Sequence, residues 1–247
     1  MSRSPNAASA EDREIGAQPA PVVRFDAVSL RRGDGSIILR NVSFALAPGS
    51  FHVLTGAAGC GKTTVLGLIC LAEPQSSGRI QLFGRDISVL RRKDRPALRR
   101  RIGVVFQENR LIDHLSVFDN AALVPRIVGR KPEEYRADVT EVLAWVGLGK
   151  RLEAMPSALS PGERRRLAVG RALVNRPDIL IADEPTGGVE AAAGDRILRL
   201  LAELHQAGTT VLMATRDEAL AASSGAPMLT LRDGRLTVLD SVEGAAA

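Results

Sequence analysis

Aromatic residues make up only 3% of the 247-residue chain, so its core has to be filled by Leu, Val, Ile and Ala. Cysteine is nearly absent. Cys60 and Cys70 provide neither a disulfide framework nor a metal-ligand spacing, which suits a reducing compartment. Long apolar runs are missing as well. The longest is Val65 to Ala72, far short of the roughly 18 to 20 residues that span a bilayer. A membrane role would therefore need another chain to supply the span. Residues Met1 to Ala20 lack the apolar centre of a secretory signal.

What is present is ordinary for a globular protein: 45% hydrophobic and 25% charged residues. The length suits one large domain, or a domain with a small lobe. The net charge of +5 admits an anionic membrane face, nucleic acid, or mere Arg-rich usage. Arg91 to Arg101 holds seven basic residues in eleven positions. The plainer reading is a solvated basic face, and the functional one is attraction to anionic lipid or an acidic partner tail. No aromatics interleave these charges, so no nucleic-acid partner is expected.

Residues 1–21 and 241–247 read as flexible tails around one domain, 22–240. Strands are predicted at Val22–Leu30, Ile37–Leu46, Phe51–Thr55, Arg79–Phe83, Ile102–Phe106, Ile179–Ala182 and Thr209–Ala214. A helix is predicted from Lys62 and another over Ala191–Gln206, and Met228–Leu239 reads as a hairpin. The helical signals between the fifth and sixth strands predict an inserted helical subdomain at about 108–176. The alternation points to an α/β fold with a mostly parallel sheet flanked by helices.

Gly56-Ala57-Ala58-Gly59-Cys60-Gly61-Lys62-Thr63 fits the phosphate-loop pattern, with a strand before it and a helix after it. Glycines let the backbone N–H groups turn inward, and the helix N-terminus adds its dipole. The pattern places Lys62 on the β- and γ-phosphates of ATP and the Thr63 hydroxyl on Mg²⁺, with Thr64 beside it. Cys60 reads as a small space-filling residue. An apolar strand ending in Asp183-Glu184 puts two acids at a sheet's C-terminal edge, where ligands sit in parallel sheets. Asp183 would face Mg²⁺, and Glu184 would polarise the attacking water.

Leu159-Ser160-Pro161-Gly162-Glu163 resembles the signature of ABC-type ATP-binding proteins. The resemblance covers nearly all of residues 22–236. It implies a RecA-like phosphate-loop core, an antiparallel β subdomain, and a head-to-tail homodimer. Ser160 and Gly162 would then touch the nucleotide of the second copy. It also implies that Gln107 senses Mg²⁺ and the water. Ser160, Pro161 and Glu163 themselves fit a capping box.

Within the family the likeness is to FtsE-type cell-division ATP-binding proteins, carried by Leu98–Gln107, Leu111–Asn120, Val211–Thr215 and Met228–Gly234. That implies an FtsX-like integral membrane subunit and activation of cell-wall hydrolases. It also implies contact with a division-ring protein and a place at the cytoplasmic face of the inner membrane. Lipoprotein-release and export ATPases share much of this frame, and that alternative stays open. So does a nucleotide-binding scaffold with little turnover. Its motives are Glu190 and Arg216, the latter standing where such families place a His. A guanidinium donates hydrogen bonds but accepts none, though Arg216 could still stabilise transition-state charge. Glu190 stands where the family has Asp. Arg32 stands near the place where the family often has an aromatic that stacks on adenine, and an Arg plane can stack too.

Overall fold

The computed structural model describes residues 20–239. The expected tails lie almost wholly outside these residues. The elements run β1 (Val23–Arg31), β2 (Ile37–Leu46), β3 (Phe51–Thr55), α1 (Lys62–Ile69), β4 (Ser77–Leu82), β5 (Arg85–Asp86), α2 (Arg95–Arg99), β6 (Ile102–Val105), α3 (Val117–Ile127), α4 (Pro132–Trp145), α5 (Pro161–Leu173), β7 (Ile179–Asp183), α6 (Ala191–Gln206), β8 (Thr210–Thr215), α7 (Glu218–Ser223), β9 (Met228–Arg232) and β10 (Arg235–Leu239).

They form two sheets. The smaller is antiparallel, in the order β2-β1-β4-β5. The larger runs β10-β9-β3-β8-β7-β6, parallel throughout except for the terminal hairpin. Strand β7 is buried at every position, as expected of a central parallel strand covered on both faces. Two apolar clusters follow. One lies between the sheets and α1 and includes Phe25, Leu39, Leu68 and Ile181. The other packs α3 to α6 on the opposite face and includes Val139, Leu143, Leu167, Leu180 and Leu201. The scarcity of aromatics shows here. The described stacked aromatic pair is Phe25 on Phe44, centroids 4.6 Å apart, and most other buried side chains are aliphatic.

The helices between β6 and β7 carry their own start signals. Ser116 caps α3 by accepting a hydrogen bond from the Asp119 amide. Asn120, fully buried, then ties down the preceding loop. Its amide donates to the carbonyls of Ile112, Leu115 and Ser116, and its oxygen accepts from the Ile112 amide. At α5 the capping box forms as the spacing predicts. Ser160 Oγ accepts from the Glu163 amide at 3.2 Å, and Glu163 Oε2 accepts from the Ser160 amide at 2.9 Å.

The basic run is partly consumed by the fold. Arg99 donates to the Leu71 carbonyl at 2.6 Å. Arg101 pairs with Asp178 at 2.8 Å and lies over the Phe83 ring. Arg91 pairs with Asp94 at 2.9 Å, leaving Arg92, Lys93 and Arg100 on an exposed face.

Candidate nucleotide-binding site

The site forms where the parallel strands end. Strand β3 delivers the chain into Gly56, which has φ 148°. A Cβ there would stand 2.3 Å from the Leu231 carbonyl oxygen, so only glycine fits. Gly61 takes φ 110° directly before α1, again a conformation that side chains disfavour. The loop therefore curls against the helix N-terminus, as the motif requires.

Lys62, 7% exposed, donates through Nζ to the carbonyls of Gly56 at 2.6 Å and Ala57 at 3.2 Å. The Thr63 hydroxyl donates to Asp183 Oδ2 at 3.2 Å. Register places Asp183 beside Ala214 of the neighbouring strand β8. Burial pushes the Asp183 carboxyl above its usual range, against the pull of the Thr63 hydroxyl and the Lys62 and Arg165 charges. A buried carboxylate held this way favours an incoming cation. Thr63 and Asp183 supply hard oxygen donors of the kind Mg²⁺ takes alongside phosphate oxygens.

One cleft of about 330 Å³ gathers Ala58, Gly59, Gly61, Lys62, Thr63 and Thr64 with Gln107, Asp183, Glu184 and Arg216. Arg32 and Ile38 line it too. Gly56, Ala57 and Cys60 face a second cleft of about 640 Å³ on the other flank of the loop, beside Arg40 and Arg232. Ser160 and Gly162 line neither cleft. Gly162 sits tight against α6, where an added Cβ would meet Ala193 Cβ at 2.9 Å.

Glu184 takes φ 47°, the left-handed region that a non-glycine residue avoids. Its backbone is fixed on both sides. Its amide donates to the Ala214 carbonyl at 2.9 Å, and its carbonyl accepts from the Gly187 amide at 3.0 Å. Thr215, buried, donates to Glu184 Oε2 at 3.4 Å and accepts from the Asp217 amide. Sequence reasoning missed Thr215, because a threonine ending a strand carries no signal until its neighbour strand is known.

Residues 39–187 match the family model described as ABC transporter. The chain belongs to the ABC transporter family. Similar curated proteins include the cell division ATP-binding protein FtsE of Escherichia coli K12. It is 42% identical over 215 residues, covering 87% of this chain and 97% of the relative. FtsE of Bacillus subtilis is 34% identical, covering 85% and 92%. Among solved structures, the ATP-binding cassette MJ0796, dimeric in a post-hydrolysis state with ADP and Pi, superposes with a TM-score of 0.80. The two are 29% identical, and the match covers 90% of this chain and 99% of that one.

The chain is thus an ATP-binding, ATP-hydrolysing cassette, with the phosphate-loop core, antiparallel sheet and helical insert that the sequence implied. The cassette's departures are also placed. Arg216 is exposed and lines the cleft. Glu190 precedes α6 without a side-chain capping bond. Pro161 occupies the first turn of α5, where its missing N–H costs no helix hydrogen bond.

Proposed function

We propose that the cassette is the ATPase subunit of an FtsE-type cell-division complex, working as a head-to-tail homodimer on an integral membrane subunit of FtsX type. The observation that carries the catalytic reading is the single cleft holding Lys62, Thr63, Gln107, Asp183, Glu184 and Arg216. Lys62 trades its loop carbonyls for the β- and γ-phosphate oxygens. The loop amides and the dipole of α1 hold the remaining phosphate charge. Thr63 and Asp183, with Gln107, would hold Mg²⁺, which when bound neutralises charge on the phosphates. Glu184 accepts the proton of the attacking water, and the Thr215 hydroxyl fixes its carboxylate. Arg216 donates to phosphate oxygens as charge builds on them.

Ser160, Gly162 and the N-terminus of α5 are read as facing the nucleotide of the second copy, since they line neither cleft of their own chain. No helix among the described residues is long and apolar enough to cross a membrane. Attachment to the cytoplasmic face of the inner membrane would come through the partner, which would pass dimer closure to cell-wall hydrolases. Contact with a division-ring protein belongs to the same reading. Residues 22–240 are taken as the nucleotide-binding domain, with the helical subdomain at about 108–176.

A second reading rests on Arg216 and Glu190: a scaffold that dimerises with ATP and turns over slowly. Steady-state hydrolysis by the purified chain, alone and with its co-expressed membrane partner, tests both. Turnover that disappears in Glu184→Gln and Lys62→Ala supports the ATPase. Normal turnover in Glu184→Gln refutes the assigned mechanism. Nucleotide binding without turnover in either preparation favours the scaffold.

A further inference from the structure

We propose that Arg165 is a positioning residue that ties the signature helix to both loops of its own chain's hydrolytic site. It thereby couples the nucleotide sensed by Ser160 and Gly162 to the placement of Gln107 and Glu184. The proposal rests on the head-to-tail reading above.

Arg165 sits on α5, three residues beyond Gly162, and is only 4% exposed. A buried guanidinium is costly unless its donors are satisfied, normally by a carboxylate. Here no carboxylate pairs with it among the described residues. Its donors go to three backbone carbonyls instead. Nη1 donates to Phe106 O at 2.8 Å and Gln107 O at 2.9 Å, and Nη2 donates to Gly187 O at 3.0 Å. Phe106 and Gln107 follow strand β6, and Gly187 lies in the loop after β7. One side chain thus holds two loops far apart in sequence, at separations of 59 and 22 residues.

The second anchor leads straight to the general base. Gly187, held by Arg165 through its carbonyl, uses its amide to close a turn on the Glu184 carbonyl at 3.0 Å. That turn helps keep Glu184 at φ 47°. A backbone in so sparsely populated a conformation persists only when its surroundings over-determine it. The other anchor holds the residue whose side chain lines the cleft beside Asp183. Both loops are therefore referenced to α5, the helix whose N-terminus carries the signature. Any shift of α5 caused by a partner's nucleotide moves both loops together. The remaining Arg165 nitrogen, Nε, is buried without a partner, which the planar fork tolerates to reach all three carbonyls. A lysine presents its donors from a single atom, so it would serve one loop at the expense of the other.

The test uses the full chain. Steady-state kcat, KM for ATP, the Hill coefficient for ATP and the affinity for a fluorescent ATP analogue are compared for wild type, Arg165→Ala, Arg165→Gln and Arg165→Lys. Expected is a loss in kcat of at least 30-fold in Arg165→Ala, with nucleotide affinity within about threefold and a Hill coefficient falling toward one. Arg165→Lys should recover part of the kcat. An affinity loss parallel to the kcat loss, or kcat unchanged per folded molecule, overturns the proposal. Hydrogen exchange needs no Arg165 variant. Run in the Glu184→Gln background, ATP should protect residues 106–109, 160–166 and 184–189 in step, and independent protection of the three segments overturns the coupling. An inactive wild type that still shows the concerted protection would count against the ATPase reading and leave this one standing.

Discussion

Glu184 offers a test that separates backbone strain from chemistry. Its φ of 47° would suit glycine. A left-handed backbone costs a non-glycine residue about 1–3 kcal/mol. Glycine pays about 0.5–1 kcal/mol more chain entropy on folding. Comparing Glu184→Gly with Glu184→Ala cancels the loss of the side chain and isolates these two effects. Glycine should be the more stable by about 1 kcal/mol, or about 2–4 °C in Tm for a chain of this size. At an ordinary helical or strand position the order is reversed. Both variants, and the isosteric Glu184→Gln, should lose about 10²–10⁴-fold in kcat, the usual worth of a positioned general base. Differential scanning calorimetry with steady-state phosphate release measures both quantities. Alanine as stable as glycine would refute the strain argument. Turnover within a few-fold of wild type in any of the three would refute the base assignment.

Two further outcomes follow from the same geometry. Ser160→Ala removes one arm of the α5 capping box and should lower stability by about 0.5–2 kcal/mol in thermal unfolding. It should also weaken ATP-driven dimerisation, seen by light scattering in the Glu184→Gln background, and unchanged dimerisation would count against the signature reading. Burial pushes the Cys70 thiol up to about 12, so at pH 8 about one molecule in ten thousand carries its thiolate, the reactive form. A maleimide should therefore modify Cys60 first, ATP should slow that reaction, and fast labelling of Cys70 in the folded protein would contradict the burial.

Much of this was legible in the chain because local and global signals agree. Strands β2 and β3, helix α6 and the β9–β10 hairpin fall at the expected residues, since alternation, glycines and the Asp233-Gly234 turn mark them. The end of the phosphate loop, with Lys62 and Thr63, and the acid pair fall into one cleft because strand ends converge in a parallel sheet. Helices α2 and α7 were not separated out. They span five and six residues, too few turns for periodicity to register. The basic run disguised α2 further, because Arg99 and Arg101 serve packing that pairs them with residues distant in sequence. Arg165 was invisible for the same reason. It is one of three consecutive arginines, and only the fold reveals that it faces inward while Arg164 and Arg166 reach other carbonyls.

The strand order also sets a timetable for synthesis. Strand β3 leads into the phosphate loop, yet its hydrogen-bonded neighbours are β8 and β9. The Gly49 amide that precedes it is held by the Thr210 hydroxyl, 161 positions away. At translation rates of about 5–20 residues per second, that partner is made about 8–30 s after the loop itself. The antiparallel sheet, complete by Asp86, has all its strands long before then. On the ribosome the strands that frame the nucleotide site thus come together only after β8 and β9 are made, well after the antiparallel sheet has all of its own.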